Sequence, residues 1–298
     1  MPQQYDGSLI KISVPATSAN LGAGFDCAGL ALDLYNDVYV GRRRGGLYIE
    51  TDDDLPRDGR NLVVRTMKML YARKNVPFSG VFLRQVNRIP KTSGLGSSAA
   101  CVVAGLLAAD ALLGTGLSKQ ELLDLATKID GHPDNVAPAL SGGIATSLVK
   151  DGHVISLKVM PKGDIKVALL TPDFALSTKT ARGVLPHRYS REDVVYNIGH
   201  ATLTYAALSL GRYDVLDEVV GDKIHEPYRR PLIPGFEQAS DYLRAIGGFG
   251  VYLSGAGPTL AAFVKPDAAQ KIPATDRPPE GWTLRIADIC ENGAAVEK

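Results

Sequence analysis

Along the first half of the chain, runs of alternating apolar and polar residues give way in turn to runs with helical spacing, and the two patterns predict its elements. "LIKISVPATSAN" predicts a strand entering a loop, and "LYNDVYVGRR" and "GLYIET" predict two further strands. "NLVVRTMKMLYARKN" places Leu62, Val63, Met67 and Leu70 on one helical stripe, and "GVFLRQVNRIP" predicts a strand ending near Pro90. An Ala/Leu helix follows "SGLGSS" and stops at Gly114 and Gly116. The next helix starts with Ser118 and Glu121 in capping-box spacing and ends before Gly131. "IDGHPDNVAPALSGG" then predicts a short loop presenting His132, Asp134 and Asn135 ahead of Pro138.

"GGIATSLV" and "HVISLKVM" predict a hairpin, and Pro161, Lys162 and Gly163 mark a boundary between residues 1–160 and 161–298. Beyond it come a strand ("IKVALLTP"), a helix from about Val194 to Leu210, a strand–turn–strand in "GVYLSGAGPTLAAFV" and a last strand in "TLRIADI". Strands and helices mix without strict alternation, which favours an α+β fold over a doubly wound sheet.

Composition narrows the function. With 298 residues, 45% hydrophobic and 22% charged, the chain can bury a substantial core in one large domain or two ordinary ones. Lys and Arg total 33 against 32 Asp and Glu, a formal charge of +1. No global basic field recruits nucleic acid, so an anionic ligand needs a local site. Cys27, Cys101 and Cys290 lie far apart without C-x-x-C spacing. They suit neither a disulfide framework nor a zinc site, and a reducing cytoplasm is expected. No signal peptide is expected from "MPQQYDGSLIKIS", and the longest apolar run meets Asp110 before membrane-spanning length.

Four stretches offer chemistry, each with a plain structural reading beside it. "PKTSGLGSSAA" is either a small-residue helix start or an anion site, since helix N-termini present free N–H groups and a positive dipole end. "VPATSANLGAGFD" is a strand and tight turn that could fix Asn20 and Asp26 for hydroxyl or ammonium binding. The Asp130, His132, Asp134 and Asn135 cluster offers a metal ligand, a base or hydrogen-bond partners, or a loop satisfying its own backbone. "LSGAGPT" reads by itself as a hairpin turn. Neither G-x-x-x-x-G-K-[S/T] nor G-x-S-x-G occurs around these serines.

In this order and at these separations, the four stretches resemble the GHMP kinases. "PKTSGLGSSAA" is similar to their ATP-binding motif and "LSGAGPT" to their C-terminal glycine motif. "VPATSANLGAGFD" and "GHPDNVAPALSGG" are similar to the branch that phosphorylates L-homoserine. The resemblance covers the chain from about Val14 to the last strands. It implies a ribosomal protein S5 domain 2-like N-terminal domain that binds ATP, a ferredoxin-like C-terminal domain, and an active site between them.

For ATP it implies contacts from Pro90, Lys91, Thr92, Ser93, Gly94, Leu95, Gly96, Ser97, Ser98, Ala99 and Ala100, with the amides of residues 94 to 98 around the phosphates and Asn61 at the adenine. Ser98 and Asp130 would hold Mg²⁺; Asp130 stands where the family has a glutamate, one methylene longer, so its contact could run through water. Asn20, Asp26, His132 and Asn135 would line the substrate pocket, with Asp26 facing the ammonium group. Arg182 and Arg229 suit the carboxylate, because the planar guanidinium binds carboxylates bidentately. Arg229 is preferred to its neighbour Arg230 because it directly follows Pro-Tyr.

Asp134 is the nearest candidate for a general base, although members of this branch are generally held to lack one. The resemblance leaves a homodimer open. Two other readings stand beside it. A GHMP kinase for mevalonate or shikimate would act on a substrate without an amine, leaving Asp26 without a role. A nucleotide or metabolite sensor on the same fold is opposed by the intact Ser98, Asp130 and His132 set. Replacing Ser98 with alanine is expected to lower kcat sharply by disturbing the metal, and a normal Mg²⁺ dependence in that variant would overturn the assignment.

Overall fold

The computed structural model describes residues 5–51, 53–271 and 277–297. Its first half contains β1 (Asp6–Ala19), β2 (Ala28–Arg42), β3 (Leu47–Thr51), α1 (Leu62–Arg73), β4 (Val81–Val86), α2 (Ser97–Leu113), α3 (Lys119–Asp130), α4 (Pro133–Ser141), β5 (Ile144–Lys150) and β6 (His153–Val159). The second half contains β7 (Lys166–Pro172), α5 (Thr178–Gly183), α6 (Arg191–Leu210), α7 (Leu216–Val219), α8 (Glu226–Arg229), α9 (Phe236–Ala245), β8 (Gly248–Leu253), β9 (Leu260–Val264), α10 (Pro266–Gln270), β10 (Trp282–Asp288) and β11 (Ala295–Glu297).

The first sheet runs β11-β1-β2-β4-β3, with β5 on the near end of β2 and β6 beyond it. Among the described residues, only the β3–β4 pairing is parallel. Alternate residues of β1, namely Ile12, Val14 and Ala16, are fully buried, as the two-residue period of a strand requires when one face meets a core. That core is shared with α2, which is apolar around most of its circumference and carries Val102, Val103, Leu106 and Ala109 among its buried residues. A helix apolar on all sides belongs inside, and α2 runs between its neighbours and the sheet. It is the central element of this half.

The second sheet has the order β10-β7-β9-β8 with antiparallel pairing throughout. Numbered within its own half this is 4-1-3-2, the ferredoxin-like arrangement expected. Both faces of β7 are covered. Ala168 and Leu170 pack with Leu243 and Phe236 of α9, while Val167 and Leu169 join the core of the first half. The two halves therefore share apolar packing.

Serine and asparagine caps start four helices: α1 and α3 where the pattern places them, α6 three residues before the expected Val194, and α5, which the pattern did not predict. Asn61, Ser118, Ser177 and Ser190 accept from backbone N–H groups at the starts of α1, α3, α5 and α6, and the Ser118–Glu121 capping box is formed. Such caps stabilise a helix by about 1 kcal/mol each.

Two local expectations change. The stretch after Gly131 is not a loop: His132 is the N-cap of α4, and Asp134 and Asn135 lie in its first turn. Pro133 suits the first helical position. Pro138 sits inside the helix, where it frees the carbonyl of Asp134, and that carbonyl packs so tightly on Gly29 of β2 that a Cβ there would lie 1.9 Å from it. The chain also does not end in the second sheet: β11 returns to pair with β1, Lys11 to Ser13 opposite Glu297 to Ala295.

Candidate active site

Three turns meet where the halves join. The end of β1 carries Thr17, Ser18 and Asn20; the glycine turn carries Ser93 to Ser98; the β8–β9 connection carries Ser254 to Pro258. The Thr17 amide donates to the Leu95 carbonyl at 3.2 Å and the Thr259 amide to the Ser93 carbonyl at 3.1 Å. Ser254 Oγ donates to the Gly94 carbonyl at 2.7 Å and shares a 2.8 Å hydrogen bond with Ser18 Oγ. Asn20 Nδ2 donates to the Gly255 carbonyl at 2.8 Å.

The glycines make this approach feasible. Gly94 has φ +83°, and a Cβ on it would lie 2.2 Å from the Ser254 carbonyl oxygen; on Gly96, φ +68°, a Cβ would lie 1.9 Å from Thr17 Oγ1. Gly96 is the N-cap of α2 and offers no side chain, and no acidic residue occupies the first turn. The first N–H groups of α2 thus face outward uncapped, with the positive end of the helix dipole behind them.

They face a cavity of about 300 Å³. Thr92, Ser93, Gly94, Gly96, Ser97, Ser98 and Ala99 of the glycine stretch line it. So do Asn20, Asp26, Asp130, His132, Asp134, Asn135, Arg182 and Arg229, from four separate stretches of the chain. Five expected ATP contacts lie elsewhere. Leu95 and Ala100 are buried in the core because they point back from the turn. Pro90 is outside the lining, and the exposed Lys91 donates to the Asp54 carbonyl. Asn61 also lies outside the lining: 2% exposed, it caps α1 with Oδ1 and gives Nδ2 to the Pro56 carbonyl and Gln85 Oε1.

Ser98 Oγ donates to Asp130 Oδ1 at 3.1 Å, so the shorter aspartate arm still reaches the serine. Burial pushes the Asp130 carboxyl up, against the Ser98 hydrogen bond. This pair of hard oxygen donors beside free N–H groups could hold a small divalent cation with an anion. Across the cavity, Asp26 Oδ1 meets Arg182 Nη2 at 2.6 Å. The Arg182 Nε is buried without a partner among the described residues. An opposed carboxylate and guanidinium is the complement of a zwitterion.

Arg229 is 2% exposed, and burial, then the charge of Arg182, lowers its pKa to about 10. Burial likewise lowers His132, whose Nδ1 is 3.9 Å from Asp134 Oδ1. Asp26, His132 and Asp134 bring ligand atoms within 4.8 Å of one another, a second group able to surround a cation or an ammonium. Asp134 is pushed up to about 7 by burial and then by the negative charge of Asp26, although it accepts from the Asn135 amide at 2.8 Å. Phe25, Thr178, Gly255 and Ala256 complete the lining and were not expected as contacts. Phe25 directly precedes Asp26 in a turn whose polar residues carry the sequence signal, and Gly255 and Ala256 belong to "LSGAGPT", whose pattern by itself predicts only a hairpin turn.

An open helix N-terminus beside a pocket built for opposite charges is the arrangement of a small-molecule kinase, and two family models agree with it. That of the GHMP kinases N terminal domain matches residues 61–143, and that of the GHMP kinases C terminal matches residues 205–274. The homoserine kinase of Caldicellulosiruptor bescii is 43% identical over 259 residues, 86% of this chain and 84% of that protein. That of Petrotoga mobilis is 37% identical over 302 residues, 97% of this chain and 96% of that one. The crystal structure of homoserine kinase from Cytophaga hutchinsonii superposes with a TM-score of 0.87 at 28% identity, covering both chains in full. The chain belongs to the homoserine kinase family of the GHMP kinases.

Because the folded Asp134 keeps a proton that an unfolded chain releases near pH 4, this residue's contribution to stability falls as pH rises through the window from about 4 to about 7. Asp134→Asn has no proton to lose. Its melting temperature relative to wild type is expected to rise between about pH 4 and about pH 7. A difference that stays flat across that range would contradict the raised carboxyl.

Proposed function

We propose that this chain transfers the γ-phosphoryl group of ATP to the side-chain hydroxyl of L-homoserine, giving O-phospho-L-homoserine and ADP, a step of threonine biosynthesis carried out in the cytoplasm. Carrying the reading is one juxtaposition: the uncapped start of α2 with the Ser98–Asp130 pair shares a single cavity with the Asp26–Arg182 pair. Phosphates would lie against the amides of residues 94 to 98. Residues 1–160 form the nucleotide lobe and 161–298 the second lobe in this reading, with β11 lent back to the first.

Ser98 and Asp130 fit Mg²⁺, which when bound supplies charge neutralisation on the phosphates. The amino acid would exchange the internal ion pair for its own charges, ammonium to Asp26 and carboxylate to Arg182 and Arg229. Two guanidinium groups on one carboxylate orient it as well as attract it. His132 and Asn135 border the path of the hydroxyl, which attacks phosphorus as the bond to the ADP oxygen breaks and its proton passes to an oxygen of the transferred phosphoryl group and on to solvent. Such transfers depend mostly on alignment and charge stabilisation. Asp134, engaged with Asn135 at Oδ1, is assigned an orienting role instead of a dedicated base.

The ammonium partner separates this reading from a mevalonate- or shikimate-type kinase, and the occupied family pattern separates it from a sensor. ADP release with homoserine, mevalonate and shikimate is expected only with homoserine. Turnover of mevalonate or shikimate instead, or nucleotide binding with no turnover at all, would replace it.

A further inference from the structure

The side chain of Arg229 enters the cavity from a four-residue helix, and its direction has to be set by what surrounds it. Nε donates to the Ala181 carbonyl at 3.2 Å, and Nη1 to the Gly255 carbonyl at 3.0 Å. The remaining contact is Nη1 to His225 Nδ1 at 3.2 Å. All three partners are neutral acceptors, and Nη2 makes no hydrogen bond among the described residues. A buried cation held this way keeps its charge available to a ligand.

We infer that His225 is a positioning residue for the substrate carboxylate, acting through Arg229; this rests on the reading above that Arg229 meets that carboxylate. His225 is fully buried and lies outside the cavity lining. An arginine can only donate, so His225 Nδ1 must present its lone pair and the ring proton must sit on Nε2. Nε2 then donates to the Gly22 carbonyl at 2.9 Å. Gly22 belongs to the same tight turn as Asp26, whose amide donates to Asn20 Oδ1 at 3.2 Å. One ring therefore links the carboxylate-side arginine to the turn carrying the ammonium-side aspartate.

Two further contacts hold the ring itself. Asp222, fully buried, accepts from Asn197 Nδ2 and from the amides of Ile224, His225 and Glu226, which pins the start of α8. The ring also stacks on Phe25, centroids 5.1 Å apart at 23°. Arg182 and Arg229 in turn approach the Phe25 ring to 5.5 and 5.2 Å. Removing Nδ1 would leave Nη1 with the Gly255 carbonyl alone, and the guanidinium could then rotate away from a carboxylate held across Phe25. The effect falls on the substrate's carboxylate, because the side-chain hydrogen bonds of His225 go to Arg229 and Gly22 and none goes to the glycine turn or to α2.

Two variants separate the two ring atoms. His225→Asn keeps an acceptor near the Nδ1 position, and His225→Gln keeps a donor near the Nε2 position. Both are compared with wild type on homoserine and on the amino diol in which its carboxylate is reduced to a primary alcohol. His225→Gln is expected to raise the homoserine KM about tenfold and to lower the preference for homoserine over the diol by a similar factor. The ATP KM and kcat are expected to stay within about threefold, and His225→Asn to recover most of the preference.

Equal losses on both substrates, a matching loss in ATP KM, or a His225→Gln variant that does not fold while His225→Asn does would make the ring merely structural and overturn the inference. Arg229→Lys serves as the reference. If it also leaves the preference for homoserine intact, the carboxylate reading falls and this inference with it. If it abolishes the preference while His225→Gln does not, only this inference falls.

Discussion

The whole site depends on a backbone constraint: the glycine turn must lie flat against the β8–β9 connection and the end of β1. Hydrogen bonds through Leu95, Ser93 and Gly94 carbonyls, with Ser18, Ser254 and Asn20 between them, allow no room for a Cβ at Gly94 or Gly96. Small residues there serve two purposes at once. They let three turns drawn from both halves of the chain close on one another, and they leave the start of α2 without a side-chain cap. A helix end whose N–H groups are unsatisfied by the protein must find partners in solvent or ligand, and here it faces a cavity.

Around that cavity the protein tolerates charges that it does not fully neutralise. Asp130 and Asp134 are both raised by burial, and Arg229 is lowered by it. Each shift records that the charged form is disfavoured where it sits. Asp134 and Arg229 line the same pocket, and Asp26 and Arg182 form a direct pair in it. A substrate carrying one positive and one negative group can relieve both ends together. A substrate with a carboxylate alone would engage the arginines and bring no cation to Asp26.

Much of this was readable from residue order because the decisive features are local. Ser118 and Glu121 predict a capping box from spacing alone, and the glycine turn before an all-apolar helix predicts an exposed helix start. The ferredoxin-like order of the second sheet came with the family resemblance. What escaped the reading depends on packing at a distance. Asn61 is named for the adenine by the family resemblance, and only the fold brings Gln85 of β4 to its amide beside the nearby Pro56 carbonyl. Pro138 suggests the limit of a loop, yet Gly29 on another strand accommodates the carbonyl it frees, and α4 continues. His225 carries no motif; its meaning lies in bonds to Gly22 and Arg229, and only the folded chain brings these together.

The claim on which the rest stands is that the Gly94 contact with the β8–β9 connection shapes the nucleotide site. Calorimetric titration of the intact Gly94→Ala chain with ATP and Mg²⁺ tests it directly. A left-handed residue with a Cβ costs about 1–2 kcal/mol, and relieving the clash with the Ser254 carbonyl must move the turn as well. The account predicts nucleotide binding weakened by about tenfold or more in a variant that still unfolds cooperatively. Wild-type affinity in that variant would contradict it.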